Sequence, residues 1–145
     1  MSLGIKLTPA DKWFSLCVRE RVGWRCERCM KSYSPPTSAL QCAHYFGRRN
    51  WATRFEPLNA FCLCFACHQY FHENPYSFVA WAEMKLGEAV VGILREKADD
   101  LKIGKEVRST KGVGDIAEHY KSQYEHMLEK RRIGRTEKLP FYGWL

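Results

Sequence analysis

Apolar and polar positions alternate in three distinct ways along the chain. Thr8-Pro9-Ala10-Asp11 is a helix start: a hydroxyl N-cap, proline at the first helical position and an acid three residues after the cap. Trp13, Leu16, Cys17 and Glu20 follow at helical spacing and Gly23 is a stop signal, which predicts a helix from about Pro9 to Val22. The stretch through Ser34-Pro35-Pro36-Thr37-Ser38 suits neither helix nor central strand and reads as a loop. Two short, partly apolar runs then predict strands, about Ala39 to Phe46 and Ala60 to Leu63, separated by a basic and aromatic loop. A short helix over about Cys64 to Phe71 follows. Asn74-Pro75 opens a further helix closed by Gly87, and Glu88 to Ala98 is also helical.

Lys102 to Gly114 holds three glycines and reads as a flexible loop or linker. Beyond it, Asp115-Ile116-Ala117-Glu118 resembles a capping box, and Ile116, Tyr120, Tyr124, Met127 and Leu128 form an apolar stripe that ends near Lys130-Arg131-Arg132. The expected class is α+β, in three parts: residues 1–24, an N-terminal helix on the core; 25–87, the core itself; and 88–145, a helical extension interrupted by the loop at 102–114. Tyr120, Tyr124 and Met127 are read as intramolecular packing, with homodimer formation the other use of that face.

Composition narrows the function classes. The chain has 145 residues, 46% of them hydrophobic, which is enough for one packed core and too little for a large two-lobed enzyme. No run approaches the apolar length of a membrane span, and Met1 to Thr8 lacks the apolar segment of a secretory signal, so no membrane partner and a cytoplasmic location are expected. Net charge is +7. Residues 1–74 carry most of that excess, and a cationic surface points toward polyanions such as nucleic acid.

Seven cysteines in a reducing compartment argue for metal before disulfides. Cys26 and Cys29 form one C-x2-C pair and Cys64 and Cys67 another, separated by 34 residues. Each pair offers two thiolates to one Zn²⁺, and together they complete a closed tetrahedral site with metal–sulfur distances of about 2.3 Å. Cys17, Cys42 and Cys62 are read as small buried hydrophobes. A thiol redox role for the pairs is the weaker reading, because two knuckles predict sulfurs sealed by metal.

Histidines gather around this framework. His68 and His72, spaced i, i+4 on the helix that starts at the second knuckle, project from one face and could grip one divalent ion. His44, on the strand side, is a candidate general base, since imidazole can be neutral near pH 7 and accept a proton from water. Asn59 could bridge backbone groups or hold the His44 loop. Arg48, Arg49 and Arg54 lie between the two strands, where guanidinium groups could clamp phosphate. Trp51 and Phe55 interleave with them, either stacking on an unpaired base or packing the core. Lys130, Arg131, Arg132, Arg135 and Lys138 form a second basic cluster, a further phosphate contact or a complement to the helix dipole.

The run Cys26-x2-Cys29, Ala43-His44, Asn59, Cys64-x2-Cys67-His68 and His72 resembles the HNH endonuclease motif. The wider phrase from Cys42 to Arg49, with Ala52 to Asn59 and Cys64 to His68, is similar more narrowly to the phage NinG/Rap group of recombination endonucleases. The resemblance covers about Trp13 to Leu86. It implies a zinc-stapled ββα-metal, or treble-clef, core with flanking helices, and a metal-dependent endonuclease acting on DNA, on branched or single-stranded recombination intermediates. A phage-encoded chain would work in the bacterial host cytoplasm. Carried over by residue, His44 is the water-activating base, Asn59 the central structural asparagine, and His68 and His72 the ligands of a catalytic Mg²⁺ or Mn²⁺. The four cysteines hold structural zinc. Many HNH enzymes place Asp or His immediately before the base as a metal ligand, and Ala43 departs from that pattern. The alternative is a noncatalytic zinc-finger module that binds nucleic acid through the same basic loop.

Overall fold

The computed structural model describes residues 4–145, so the first three residues of the Met1 to Thr8 stretch lie outside it. The described residues form an α+β fold of six α-helices and one two-stranded antiparallel sheet. Helix α1 (Pro9–Arg21) starts as its capping box dictates: Thr8 Oγ1 accepts from Asp11 N at 3.3 Å and Asp11 Oδ2 accepts from Thr8 N at 2.7 Å. Its inner face buries Ala10, Phe14, Cys17 and Val18. The chain leaves it through Gly23, at φ +65°, the left-handed conformation that ends a helix most cheaply in glycine.

Strands β1 (Leu40–His44) and β2 (Ala60–Cys64) pair in register Cys42↔Cys62 and His44↔Ala60. β1 is shorter than the expected Ala39 to Phe46. After His44 the backbone is taken over by Asn59, whose carbonyl accepts from Tyr45 N at 2.8 Å and whose side chain accepts from Phe46 N at 2.8 Å. A 3₁₀ turn over Pro57–Asn59 leads into β2. Helices α2 (Phe65–Glu73), α3 (Pro75–Leu86) and α4 (Glu88–Ala98) follow, all near the expected positions.

The segment expected as a flexible loop at 102–114 is helical. Helix α5 (Leu101–Arg108) and helix α6 (Thr110–Arg132) meet at a single break at Ser109. Two caps explain it: Asp100 Oδ1 accepts from Ile103 N at 3.0 Å, and Ser109 Oγ accepts from Gly112 N at 2.9 Å. Burial of Val107 and Ile116 then offsets the cost of about 1 kcal/mol for each glycine in a helix. α6 therefore begins five residues before Asp115.

Helix α6 lies along α1, the most extensive pairing in the molecule. Glu20 Oε2 pairs with Arg131 Nε at 3.1 Å, and Tyr120, fully buried, donates its hydroxyl to Phe55 O. The C-terminal tail folds back: Leu139 N donates to Arg21 O at 3.0 Å, and Phe141 packs edge-on against Phe14 and Tyr120. Among the described residues no helix is long and apolar enough to cross a membrane.

Candidate functional site

The two cysteine pairs converge. The ligand atoms of Cys26, Cys29, Cys64 and Cys67 all lie within 4.8 Å of one another. Cys29 Sγ and Cys64 Sγ are 3.8 Å apart. That spacing is the edge of a tetrahedron with metal–sulfur bonds of about 2.3 Å, so the donor set fits a structural metal such as zinc. Burial raises the Cys26 thiol, but backbone N–H groups of Cys29, Cys64 and Arg28 outweigh it and bring it down to about 7, where a thiolate forms readily. Glu27, inside the first pair, brings the pairs together. Its N–H donates to Cys62 O at 2.8 Å, and its Oε2 accepts from Cys62 N at 2.7 Å, clamping the first knuckle onto β2 two residues before Cys64. The sequence reading passed over Glu27. Its only signal is an acid between two thiols.

Cys17, Cys42 and Cys62 are buried outside this cluster, and burial pushes the Cys42 thiol up to about 11.

At the end of β1, His44 Nε2 lies 3.1 Å from Arg54 O. A carbonyl only accepts, so in neutral His44 Nε2 carries the proton and Nδ1 keeps a free lone pair. Burial of the ring lowers its pKa to about 4, and Arg48 adds to the shift, so the imidazole is neutral at pH 7. Asn59, fully buried, fixes the loop that supplies this carbonyl. Its Nδ2 donates to Phe46 O at 2.9 Å and Thr53 O at 3.0 Å, and its Oδ1 accepts from Phe46 N. All of its amide groups are spent on backbone, a positioning arrangement.

His44 shares one groove of about 350 Å³ with His68 and His72, walled by Ala43 and Tyr45 on one side and Phe71 and Val79 on the other. His68 Nδ1 donates to Gln41 Oε1, which leaves its Nε2 free as a ligand. Burial, then the nearby Arg48 and His72, lowers the His68 pKa. Gln41 escaped the sequence reading, although a lone amide in an otherwise apolar strand was its signal. The cysteine cluster is the one group of three or more His, Cys, Asp or Glu donors, among the described residues, that could hold a metal ion. For a second cation at the groove the protein supplies the imidazole pair of His68 and His72, with no carboxylate at Ala43.

The loop arginines separate into different roles. Arg54, expected to contact phosphate, is 2% exposed. Its Nε and Nη2 donate to Asp11 Oδ1 and Oδ2 at 3.0 and 2.8 Å, and Nη2 also donates to Lys6 O at 3.0 Å. This buried fork–fork pair is structural and leaves Arg54 unavailable to a ligand. Trp51, for which the sequence leaves base stacking and core packing both open, is half-buried with the Arg54 guanidinium 4.2 Å over its ring, and Phe55 is buried beside it, which favours packing. Arg48 keeps its charge near the histidines: its Nε is 3.8 Å from Asp11 Oδ1, with no hydrogen-bond partner. Arg49 is exposed and forms no ion pair among the described residues. In the C-terminal basic cluster, half-buried Arg131 pairs with Glu20 across to α1, and exposed Arg132 and Arg135 pair locally with Glu129 and Glu137. Compared with protein-family models, curated proteins and solved structures, the chain has no match.

Proposed function

We propose that this chain is a metal-dependent DNA endonuclease of the HNH type, built on a zinc-stapled ββα-metal core. The observation that carries the reading is the groove in which a neutral His44, its Nε2 proton held by Arg54 O, faces His68 and His72. His44 Nδ1 accepts the proton of the attacking water, and Asn59 keeps the ring in place through the Phe46 to Thr53 loop. His68 and His72 would hold a divalent cation such as Mg²⁺ or Mn²⁺. When bound, that cation supplies charge stabilisation at the scissile phosphate and the leaving oxygen. Arg48 lies beside the groove and draws the phosphate backbone to it. The net charge of +7 favours DNA over a neutral substrate, and recombination intermediates with branched or single-stranded parts are the substrates that the family resemblance suggests.

One observation favours a second reading, a noncatalytic zinc module that binds nucleic acid: the groove offers His68 and His72 but no third side-chain donor of the kind usual in this motif. Cleavage of labelled duplex, single-stranded, flap and four-way-junction DNA in Mg²⁺ or Mn²⁺ separates the two. The wild type should cut, and His44→Ala should bind while losing about 10²–10⁴-fold in rate. Binding by both proteins with cleavage by neither, in any metal, would leave the binding module.

A further inference from the structure

The loop that presents Arg48 to the histidines continues along a second groove. Arg49, Asn50 and Trp51 line one side of a cleft of about 330 Å³, and α5 lines the other with Gly104, Lys105 and Arg108. The helix is seated directly on the loop: a Cβ on Gly104 would sit 3.6 Å from Ala52 N and 4.0 Å from Trp51 Cβ. Asn50 Nδ2 donates to Ala98 O at 2.9 Å and ties the same loop to the end of α4. Lys105 and Arg108 stand at i, i+3 on α5 and so share a face.

Arg49, Lys105 and Arg108 are exposed, and none belongs to an ion pair among the described residues. The acid lining this groove, Asp100, spends Oδ1 on the N-terminus of α5. Three unpaired cations on rigid supports, facing one cleft, contrast with the paired arginines of the C-terminal cluster. Helix dipole alone does not account for them, since Arg49 is on a loop and reaches the cleft from the opposite side.

We infer that the α5 groove is a second phosphate-binding track, which receives the DNA backbone as it leaves the histidine groove. The inference rests on the nuclease reading and deepens it: Arg48 and Arg49 are adjacent in the chain, so one strand can pass from the first to the second. Lys105 and Arg108 become DNA contacts, and α5 becomes a part of the substrate surface instead of a connector.

The test compares K105S/R108S with K31S/K121S, which removes the same charge from exposed positions outside the groove. Binding of labelled flap and duplex DNA is titrated by anisotropy over a range of salt, with cleavage measured on the same preparations and folding checked by thermal melts. The slope of log K against log [salt] should become less negative by about 2 in K105S/R108S, one unit per lost phosphate contact, and stay near wild type in the control pair. Cleavage at subsaturating DNA should fall in parallel. An unchanged slope in K105S/R108S, or an equal loss in the control pair, overturns the groove while wild-type cleavage still supports the nuclease. A wild type that neither binds nor cuts any DNA overturns both.

Discussion

Asp11 and Arg54 stand 43 residues apart in the chain and meet inside the core through two hydrogen bonds. Asp11 also caps α1, so one carboxylate fixes the helix start and neutralises a buried guanidinium. Burial opposes its ionisation, but the bonds from Arg54 and Thr8 prevail and hold its pKa below the usual carboxylate value. Asp11→Ala leaves Arg54 charged and unpaired and should cost about 3–5 kcal/mol, read from denaturant unfolding. A loss under 1 kcal/mol would mean that water reaches Arg54. His44 has the opposite sign of interest. Its pKa is depressed from 6.5 to about 4, so the imidazole is neutral above that range. The folded state therefore binds fewer protons than the unfolded chain between these values, and the stabilisation that His44 contributes, full above about 6.5, is lost as pH falls toward 4. Under the nuclease proposal, the acid limb of kcat/KM for DNA cleavage should lie well below 6. A limb at 6–7 would show that the ring is solvated in the free protein.

At the scale of elements, the joint between α5 and α6 discriminates sharply between two glycines. A Cβ on Gly112 would stand 2.2 Å from Glu106 O and 2.9 Å from Val107 O, so the last turn of α5 closes directly onto the first turn of α6. Gly112→Ala should lower stability by about 1–3 kcal/mol through overpacking of backbone. Gly114, two residues on, is exposed in the same helix and a Cβ there meets nothing within 4 Å. Gly114→Ala should stabilise by about 0.5–1 kcal/mol, the ordinary gain of replacing glycine in a helix. Thermal melts of the two variants should shift in opposite directions. If both stabilise, the joint opens in solution.

For the whole molecule, the question is what holds a two-stranded sheet in place, since a hairpin of that size is marginal alone. The cysteine cluster ties the first knuckle, the end of β2 and the start of α2 into one unit, with Glu27 as an inner clamp. Removing a metal held by the four cysteines, with a strong chelator, should therefore dissolve the tertiary signal of the aromatic core around Phe61, Phe71 and Trp81, while the α1–α6 pair keeps part of the helical signal. A native near-ultraviolet spectrum after complete metal loss would assign the stability of this half to packing alone. Readdition of zinc should restore the spectrum, because the four thiols remain free to bind it and metal binding is coupled to folding.

What the sequence alone determined is what local physics encodes. The Thr8 capping box and proline at the first helical position act within a turn, so the starts of α1 and α3 were legible from Thr8-Pro9 and Asn74-Pro75, although Asn74 makes no side-chain cap of its own. Two C-x2-C pairs carry their own geometry, so the convergence of the four cysteines was legible as well. Glycine-rich chemistry misled at Lys102 to Gly114, because propensity is weak and burial of Val107 and Ile116 overrides it. Only the tertiary structure decided among three similar arginines. Arg54 reaches Asp11, Arg48 stays beside the histidines and Arg49 turns to α5, since a charge partner is chosen by proximity in space and not by neighbours in the chain.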